Sequence, residues 1–258
     1  MNAWKSILAS FPFAVRALML ITSFTYFLSE VDPPSKIRYI KTDSRWNTLP
    51  TPETSHLSQL LSFGLVVMLG SGLVRGVSTY FAISKSDGTA RSIFNARWFS
   101  LRCKTPPSTN LPDVVQVLLA LEELFRDCRT PTLLEGDFRH YFHQLPLEKD
   151  ISSYFCLNFA HVFYRWTSLP MGWSYSPFIA QAIGMGTILT TLERCGCGVS
   201  EYKELDTPPS MVILRDNKGK SFLVAALWYD NILVQQLSRT WQQKFLQNSR
   251  PSAKRNST

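Results

Sequence analysis

The chain has 258 residues, of which 45% are hydrophobic and 18% are charged, and this composition excludes an intrinsically disordered protein. The length suffices for one large domain or two small ones. Five scattered cysteines argue against a disulfide scaffold, and the pair Cys195 and Cys197 lacks the spacing of a structural zinc site.

The net charge of +8 is concentrated in two segments. Gln235 to Thr258 carries five basic residues and no acid, and Lys85 to Lys104 carries five more with Asp87 as the one acid. Such concentrated positive charge favours a polyanionic partner, although solvated basic faces are also common.

The first 55 residues contain an apolar segment and a linker. Phe11 to Leu28 follows Lys5 and resembles a signal anchor, but it carries Arg16 and has no small-residue cleavage site, so membrane insertion is one alternative. Val31 to Ser55 holds four prolines among polar residues, which predicts a loop or linker. Leu60 to Val74 is shorter than the roughly 20 residues that cross a bilayer, which favours a buried helix with a glycine turn.

Residues 57 to 126 are predicted to form two helices and a β-hairpin. The helices follow from apolar residues at helical spacing, and the hairpin follows from two β-rich runs around a polar turn that ends in glycine. The predicted elements are a helix over Leu57–Leu69, strands over Val77–Ile83 and Ala90–Phe94 around the turn Ser84–Gly88, and a helix over Asp113–Phe125.

The second half of the chain is predicted to form five strands and one long helix. The strands are Pro131–Leu134, Ser153–Phe159, His161–Thr167, Ser221–Leu227 and Ile232–Val234. The helix begins near Ser176 and Pro177, because proline suits the first helical turn, and it continues to Leu192. Glu193 to Lys220 is polar and rich in glycine and proline, which indicates an insertion.

Two aspartates end or interrupt apolar strands, where an unpaired carboxylate is costly to bury. Asp137 follows the run Thr132–Gly136, and Asp230 lies within the run Ala226–Val234. Carboxylates from adjacent strands can hold the divalent cations that phosphoryl transfer requires. Taken alone, each aspartate is better explained as a turn residue, so the metal interpretation depends on the surrounding segments.

Four segments, in order, resemble the motifs of the reverse-transcriptase family of polymerases. They are YFAISKSDGTARSIFNAR from Tyr80, similar to the fingers hairpin; DFRHYFHQLPL from Asp137, similar to motif A; LPMGWSYSPFIAQ from Leu169, similar to motif B; and WYDNILV from Trp228, similar to motif C. Together they span about Leu57 to Val234. Within the family, the segments that follow the hairpin are most similar to retrotransposon enzymes of the tyrosine-recombinase kind.

The resemblance implies substrate-binding residues. Lys85 and Arg91 would meet the incoming triphosphate, and their side chains suit phosphate oxygens. Phe142 would take the position of the aromatic side chain that excludes a ribose 2′-hydroxyl, Gln181 would face the nascent base pair, and Gly172 would bring backbone close to a template or nucleotide. There are two alternatives. Lys85 and Arg91 would then lie on a solvated hairpin without a ligand, and Phe142 would be a residue of the hydrophobic core.

The metal site departs from the family pattern. The resemblance makes Asp137 and Asp230 the principal metal ligands. Trp228 stands where tyrosine is usual, and Asn231 stands where a second catalytic aspartate is usual, which removes one negative charge. Asn231 can still offer a carbonyl oxygen, so the sequence predicts weakened or ion-shifted catalysis.

The sequence therefore predicts an α+β fold with the fingers and palm of a right-hand polymerase, in which helices back an antiparallel palm sheet. The thumb is expected to be absent, because only 24 residues follow Val234. The expected domains are an N-terminal apolar segment and linker over 1–55, reverse-transcriptase-like fingers and palm over 56–234, and a basic tail over 235–258.

The predicted function is template-directed DNA synthesis by a retrotransposon-derived reverse transcriptase fragment. Its expected cofactor is Mg²⁺ or Mn²⁺, and its expected partners are an RNA or DNA template-primer and deoxynucleoside triphosphates. One alternative is a catalytically inactive remnant that only binds nucleic acid. Another is a membrane-anchored protein, although no stable membrane partner is expected.

Overall fold

The computed structural model describes residues 9–22, 54–70, 73–84, 90–126 and 132–236. These residues form six α-helices, nine β-strands and two short 3₁₀-helices. The helices are α1 Pro12–Thr22, α2 Thr54–Ser62, α3 Arg97–Ser100, α4 Val114–Arg126, α5 Lys149–Ser152 and α6 Ser176–Arg194. The strands are β1 Val66–Leu69, β2 Thr79–Ser84, β3 Ala90–Asn95, β4 Thr132–Asp137, β5 Cys156–Phe159, β6 Val162–Trp166, β7 Met211–Arg215, β8 Ser221–Trp228 and β9 Asn231–Gln236.

The chain divides into two compact units. The first comprises Met1–Leu18, Ser108–Arg139 and Phe178–Thr258, and the second comprises Met19–Pro107 and His140–Pro177. All of the named strands pair antiparallel, in sheets of four, three and two strands. The fold is therefore a mixture of helices and antiparallel sheets, as the predicted α+β class requires.

The first unit contains a four-stranded sheet in the order β4-β9-β8-β7. Helix α4 packs against β8, where Ala120 and Leu124 contact Val224 in the hydrophobic core. Strand β8 is the most apolar of the four because it has neighbours on both edges and a helix on one face. Strand β8 is therefore the more buried of the two inner strands of the sheet.

Helix α4 begins at a capping aspartate. The Asp113 carboxylate accepts a hydrogen bond from the Val115 N–H at 2.8 Å, which satisfies one of the free N–H groups of the first turn. The helix buries one stripe of side chains, Val117, Ala120 and Leu124. Other apolar residues of this helix, Val114, Leu118 and Phe125, are exposed.

An ion pair ties α4 to the β7–β8 hairpin. The Glu123 carboxylate accepts hydrogen bonds from both terminal nitrogens of the Arg215 guanidinium, and it also accepts one from the Ser221 hydroxyl at 2.8 Å. The hydrogen bonds from Arg215, followed by that from Ser221, lower the pKa of Glu123. Because both partners of this pair are exposed, the contact fixes geometry more than it adds stability.

The second unit contains the predicted β2–β3 hairpin and a three-stranded sheet in the order β1-β6-β5. Its core is aromatic: the Phe99 ring packs edge-on against Phe155 with centroids 5.1 Å apart, and Phe155 contacts Trp173 at 5.2 Å. Both hairpins that the sequence predicts in this unit, β2–β3 and β5–β6, are confirmed. The predicted turn Ser84–Gly88 falls mostly on residues 85–89, which lie outside the described residues.

The predicted helix over Leu57–Leu69 is wrong after Ser62, because Val66–Leu69 forms strand β1. Helix α2 ends at Ser62, and Gly64 follows with φ of 67°. The Gly64 N–H donates to the Leu61 carbonyl and the Leu65 N–H donates to the Leu60 carbonyl, both at 3.0 Å, which is the Schellman pattern that ends helices. The chain then continues as β1 because Val66 and Val67 are β-branched and pair with β6.

Strand β7 lies within the predicted insertion Glu193–Lys220, where the sequence predicts no strand. Met211–Arg215 pairs with β8 and forms an edge of the four-stranded sheet. The Tyr202 hydroxyl covers this edge, because it accepts a hydrogen bond from the Ile213 N–H at 3.0 Å and donates one to the Ile213 carbonyl at 3.2 Å. A side chain therefore satisfies backbone groups that an edge strand would otherwise expose.

Two further expectations concern the ends of the chain. Helix α1 covers Pro12–Thr22 of the predicted apolar segment, and none of the helices in the described ranges is long and apolar enough to cross a membrane. Most of the predicted linker and tail lies outside the described residues. Strand β9 extends through Gln235 and Gln236, two residues beyond the boundary that the sequence indicates.

Gly172 is a position where the second unit requires glycine. Its φ is +117°, and a Cβ atom there would lie 2.1 Å from the Phe94 carbonyl oxygen. We expect Gly172→Ala to reduce the free energy of unfolding by more than about 2 kcal/mol, because a strained backbone alone costs roughly 1–3 kcal/mol. Urea denaturation followed by circular dichroism measures this change.

Gly198→Ala is the matched control, since that glycine has no heavy atom within 4 Å of the added Cβ and no positive φ. This variant should differ from the natural chain by less than about 1 kcal/mol. Equal stability of the two variants would contradict the close approach of Gly172 to β3.

Candidate functional site

The pairing of β4 with β9 brings the two predicted aspartates together. Asp137, the last residue of β4, lies directly opposite Asn231, the first residue of β9. Opposed residues of antiparallel strands have Cβ atoms about 4.5–5.5 Å apart. Beyond the strand, the Phe138 N–H donates to the Asp230 carbonyl oxygen at 2.7 Å. The first unit therefore places Asp137, Asp230 and Asn231 at one end of its sheet.

A two-residue turn carries Asp230. Trp228 and Asn231 pair across the hairpin, so Tyr229 and Asp230 alone form the β8–β9 connection. Tyr229 has φ of 58°, a left-handed conformation that such a short hairpin turn requires and that glycine adopts more easily. The Trp228 indole N–H donates to the Pro112 carbonyl at 3.0 Å and attaches the strand end to the segment before α4.

Gln181 of α6 is bonded to this hairpin. Its side chain is fully buried, its amide N–H donates to the Leu227 carbonyl at 2.8 Å, and its amide oxygen accepts from the Tyr229 N–H at 3.0 Å. This arrangement differs from the predicted position facing a nascent base pair. One feature of the sequence points to this buried position: a glutamine within the apolar run of a helix indicates a side chain that is buried and hydrogen-bonded.

The three site side chains differ in exposure and charge. Asp137 and Asn231 are exposed and Asp230 is half-buried. The Asn231 amide N–H donates to Oδ1 of Asp230 at 3.2 Å. The site therefore carries two carboxylates, and the amide at position 231 contributes a hydrogen-bond donor on one side and a carbonyl oxygen on the other.

These residues fit a hard divalent cation. No group of three or more His, Cys, Asp or Glu side chains that could hold a metal ion occurs in the described part of the chain. Two carboxylates and an amide carbonyl nevertheless match Mg²⁺, which proteins commonly bind through one or two carboxylates while water and substrate phosphates supply the remaining ligands. Asp137 and Asp230, with Asn231 beside them, would hold Mg²⁺ or Mn²⁺.

The other predicted site residues belong to the second unit or are not described. Arg91 lies on β3 opposite Ile83 of β2, and Lys85 lies outside the described residues. Phe142 is half-buried in the 3₁₀-helix Tyr141–Gln144, where its ring packs edge-on against Tyr141 with centroids 6.2 Å apart. Partial exposure leaves both the core and the substrate-facing interpretations of Phe142 open.

Gly172 lies close to the backbone of β3, and its predicted approach to a template or nucleotide stays a prediction. The neighbouring Ser174 N–H donates to the Ser100 hydroxyl at 3.1 Å, and the Ser176 hydroxyl donates to the Pro170 carbonyl at 2.6 Å. The motif B turn is thus held by contacts within the second unit.

No protein-family model and no curated protein matches this chain.

His143 gives the second unit a pH dependence. Its imidazole is half-buried against the Trp166 ring at 5.8 Å, and burial, with a smaller effect of His140, lowers its pKa below the ordinary value of 6.5. The unfolded chain therefore takes up this proton at higher pH than the folded chain does. We expect the stability to be complete above about pH 7 and to decrease as the pH falls through the folded-state pKa.

Unfolding free energies measured between pH 7.5 and 5 check this expectation. His143→Phe keeps a ring against Trp166 and should make the decrease shallower. The exposed His161 offers a control, and His161→Asn should leave the pH dependence unchanged. An unaltered slope for the His143 variant would show that other groups cause the decrease.

Proposed function

We propose that the chain is a reverse-transcriptase-type polymerase fragment that catalyses RNA-directed DNA synthesis with Mg²⁺ or Mn²⁺. One observation carries the proposal: Asp137 and Asp230, predicted from two separate motifs, meet at one end of the same antiparallel sheet. In this proposal the first unit is the palm and the second unit, with its β2–β3 hairpin, is the fingers.

The reaction joins a primer 3′-hydroxyl oxygen to the α-phosphorus of a deoxynucleoside triphosphate. The bond from that phosphorus to the bridging oxygen breaks, and pyrophosphate leaves with the electron pair. When bound, divalent metal supplies Lewis-acid activation of the hydroxyl and neutralises charge on the leaving group. Asp137 and Asp230 supply two negative charges toward the cations, and the Asn231 carbonyl supplies a neutral oxygen.

The resemblance also assigns residues to nucleotide binding. Lys85 and Arg91, on either side of the hairpin turn, would bind triphosphate oxygens, the lysine as a point charge and the arginine through two parallel N–H groups. Phe142 would oppose a 2′-hydroxyl by filling the space that the hydroxyl needs. These roles rest on the resemblance of the two segments to the fingers hairpin and motif A.

Primer extension by the purified chain tests the proposal. We expect synthesis with Mg²⁺ or Mn²⁺, and we expect Asp137→Ala and Asp230→Ala each to reduce the rate by about a thousandfold. Losing several kcal/mol of metal-dependent transition-state stabilisation has that effect, since each factor of ten corresponds to about 1.36 kcal/mol.

Asp206→Ala is the control, because it removes an exposed carboxylate from the same unit away from the paired strands. The control should retain the activity of the natural chain. If the natural chain is inactive with both metals, or if all three variants retain equal activity, polymerisation by this site is excluded.

A second candidate is a remnant that binds nucleic acid without synthesis. The observation that favours it is the Asn231 amide bonded to Asp230, because the site then has two carboxylates for cations with a total charge of +4. Primer extension by the natural chain separates the two candidates, and Asn231→Asp then identifies the defect in an inactive chain. If the missing carboxylate is the defect, Asn231→Asp should gain primer-extension activity. If the chain has further defects, Asn231→Asp should remain inactive.

Both candidates predict salt-sensitive binding of nucleic acid. If six or more phosphates are contacted, the association constant for a short duplex should fall by about 10³-fold or more between about 50 and 200 mM salt, because bound counterions are released. Replacing Lys85 and Arg91 by alanine and ending the chain after Gln236 should make this dependence shallower. Filter binding or fluorescence anisotropy measures the slope.

The control is the double variant Arg126→Ala and Lys203→Ala, since both cations already pair with glutamates of the same unit. This variant should keep the slope of the natural chain. Binding that does not vary with salt would exclude the proposed phosphate contacts.

A further inference from the structure

We infer that Gln181 is a positioning residue that sets the direction of the Asp230 carboxylate toward divalent metal. The inference rests on the proposed function, because it gives Gln181 a task in the same site. In this role Gln181 acts on Asp230 through the β8–β9 turn and makes no direct contact with a nucleotide.

The hydrogen bonds of Gln181 flank Asp230 on the preceding side. One reaches the Leu227 carbonyl, three residues before Asp230, and the other reaches the Tyr229 N–H, directly before it. The Phe138 N–H holds the Asp230 carbonyl on the following side at 2.7 Å. The peptide group before Tyr229 and the peptide group after Asp230 are thus anchored to other elements, α6 and the end of β4.

This anchoring matters because the turn sequence does not favour its own conformation. Tyr229 has φ of 58° without being glycine, and such residues persist only where the surroundings fix them. The bond to the Tyr229 N–H supplies part of that fixation. Without it, the turn can relax toward negative φ, which moves Asp230 relative to the end of β4.

A glutamine suits this position for three reasons. Its amide carries a donor and an acceptor, which the Leu227 carbonyl and the Tyr229 N–H respectively require. It is neutral, so it is buried without the expense of desolvating a charge. It is also one methylene longer than asparagine, which lets it reach the sheet from the helix.

Burial separates this role from substrate contact. The Gln181 side chain has 0% relative exposure, and its amide is committed to the hairpin on both sides. A side chain without solvent exposure offers no surface to a nucleotide or primer. Gln181 affects the site through the position of Asp230, as partners of metal ligands do in other proteins.

The test measures Mn²⁺ binding by the full chain with electron paramagnetic resonance, in the absence of nucleotide. We expect Gln181→Met to weaken Mn²⁺ affinity by about 10- to 100-fold, the range found when partners of metal ligands are removed. Gln181→Glu keeps an oxygen for the Tyr229 N–H, but once ionised it loses the donor to Leu227 and places a charge in a buried position, so its Mn²⁺ affinity should also fall at neutral pH. Circular dichroism reports whether each variant is folded.

Thr191→Val is the matched control. Thr191 lies on the same helix, is 3% exposed, and donates its hydroxyl only within the helix, to the Thr187 carbonyl at 2.7 Å. Its loss removes a buried hydrogen bond without changing the hairpin, so Mn²⁺ affinity should stay the same while stability falls slightly.

The outcomes distinguish this inference from the proposed function. If Asp230→Asn leaves Mn²⁺ affinity unchanged, the metal site and therefore the proposed function are wrong. If Asp230→Asn weakens binding but Gln181→Met behaves like Thr191→Val, the metal site stands and the positioning role is wrong. Should Gln181→Met fail to fold, Gln181→Glu decides, and unchanged affinity in that variant overturns the inference.

Discussion

Backbone pairing between β4 and β9 is the constraint on which the candidate site depends. The side-chain period of a strand is two, so a shift of one residue would turn Asp137 to the other face of the sheet. The observed register sets Asp137 against Asn231 and leaves Asp230 in the turn beside them. Two acidic residues separated by 93 positions in the sequence thereby become neighbours without any direct bond between their side chains.

The elements around this pair fix the hairpin in different ways. Helix α4 buries Leu124 against β8 and holds the far end of the hairpin β7–β8 through Glu123 and Arg215. Helix α6 holds the near end through neutral hydrogen bonds from Gln181. The ion pair between Glu123 and Arg215 is exposed, whereas the hydrogen bonds of the neutral Gln181 are buried. This distribution is favourable because burying a charge costs more desolvation free energy than burying a neutral group. The geometry near the aspartates thus depends on groups that do not titrate.

The sequence predicted the elements whose signals are local. The apolar spacing from Asp113, the proline near the start of α6 and the polar turn between β2 and β3 each act over a few residues, and those helices and that hairpin are present. It failed at β1, since a continuous apolar run fits a helix or a strand equally well. It missed β7 because the pairing partner that makes Met211–Arg215 a strand lies elsewhere in the chain. The closeness of Asp137 and Asp230 followed from family-like motifs, whereas the contacts of Gln181 required the structure, since burial of a glutamine does not reveal its partners.

The turn at Tyr229 has a consequence for the order of folding. A two-residue hairpin ordinarily closes within microseconds from contacts between its own strands. This turn also takes hydrogen bonds from a helical residue 46 and 48 positions earlier in the chain, and such distant contacts form late because loop closure costs entropy. Strands β8 and β9 can therefore pair before their turn reaches its final shape. Since synthesis proceeds from the N-terminus, the residues of α6 leave the ribosome before those of the hairpin, and the turn reaches its final shape when the two dock.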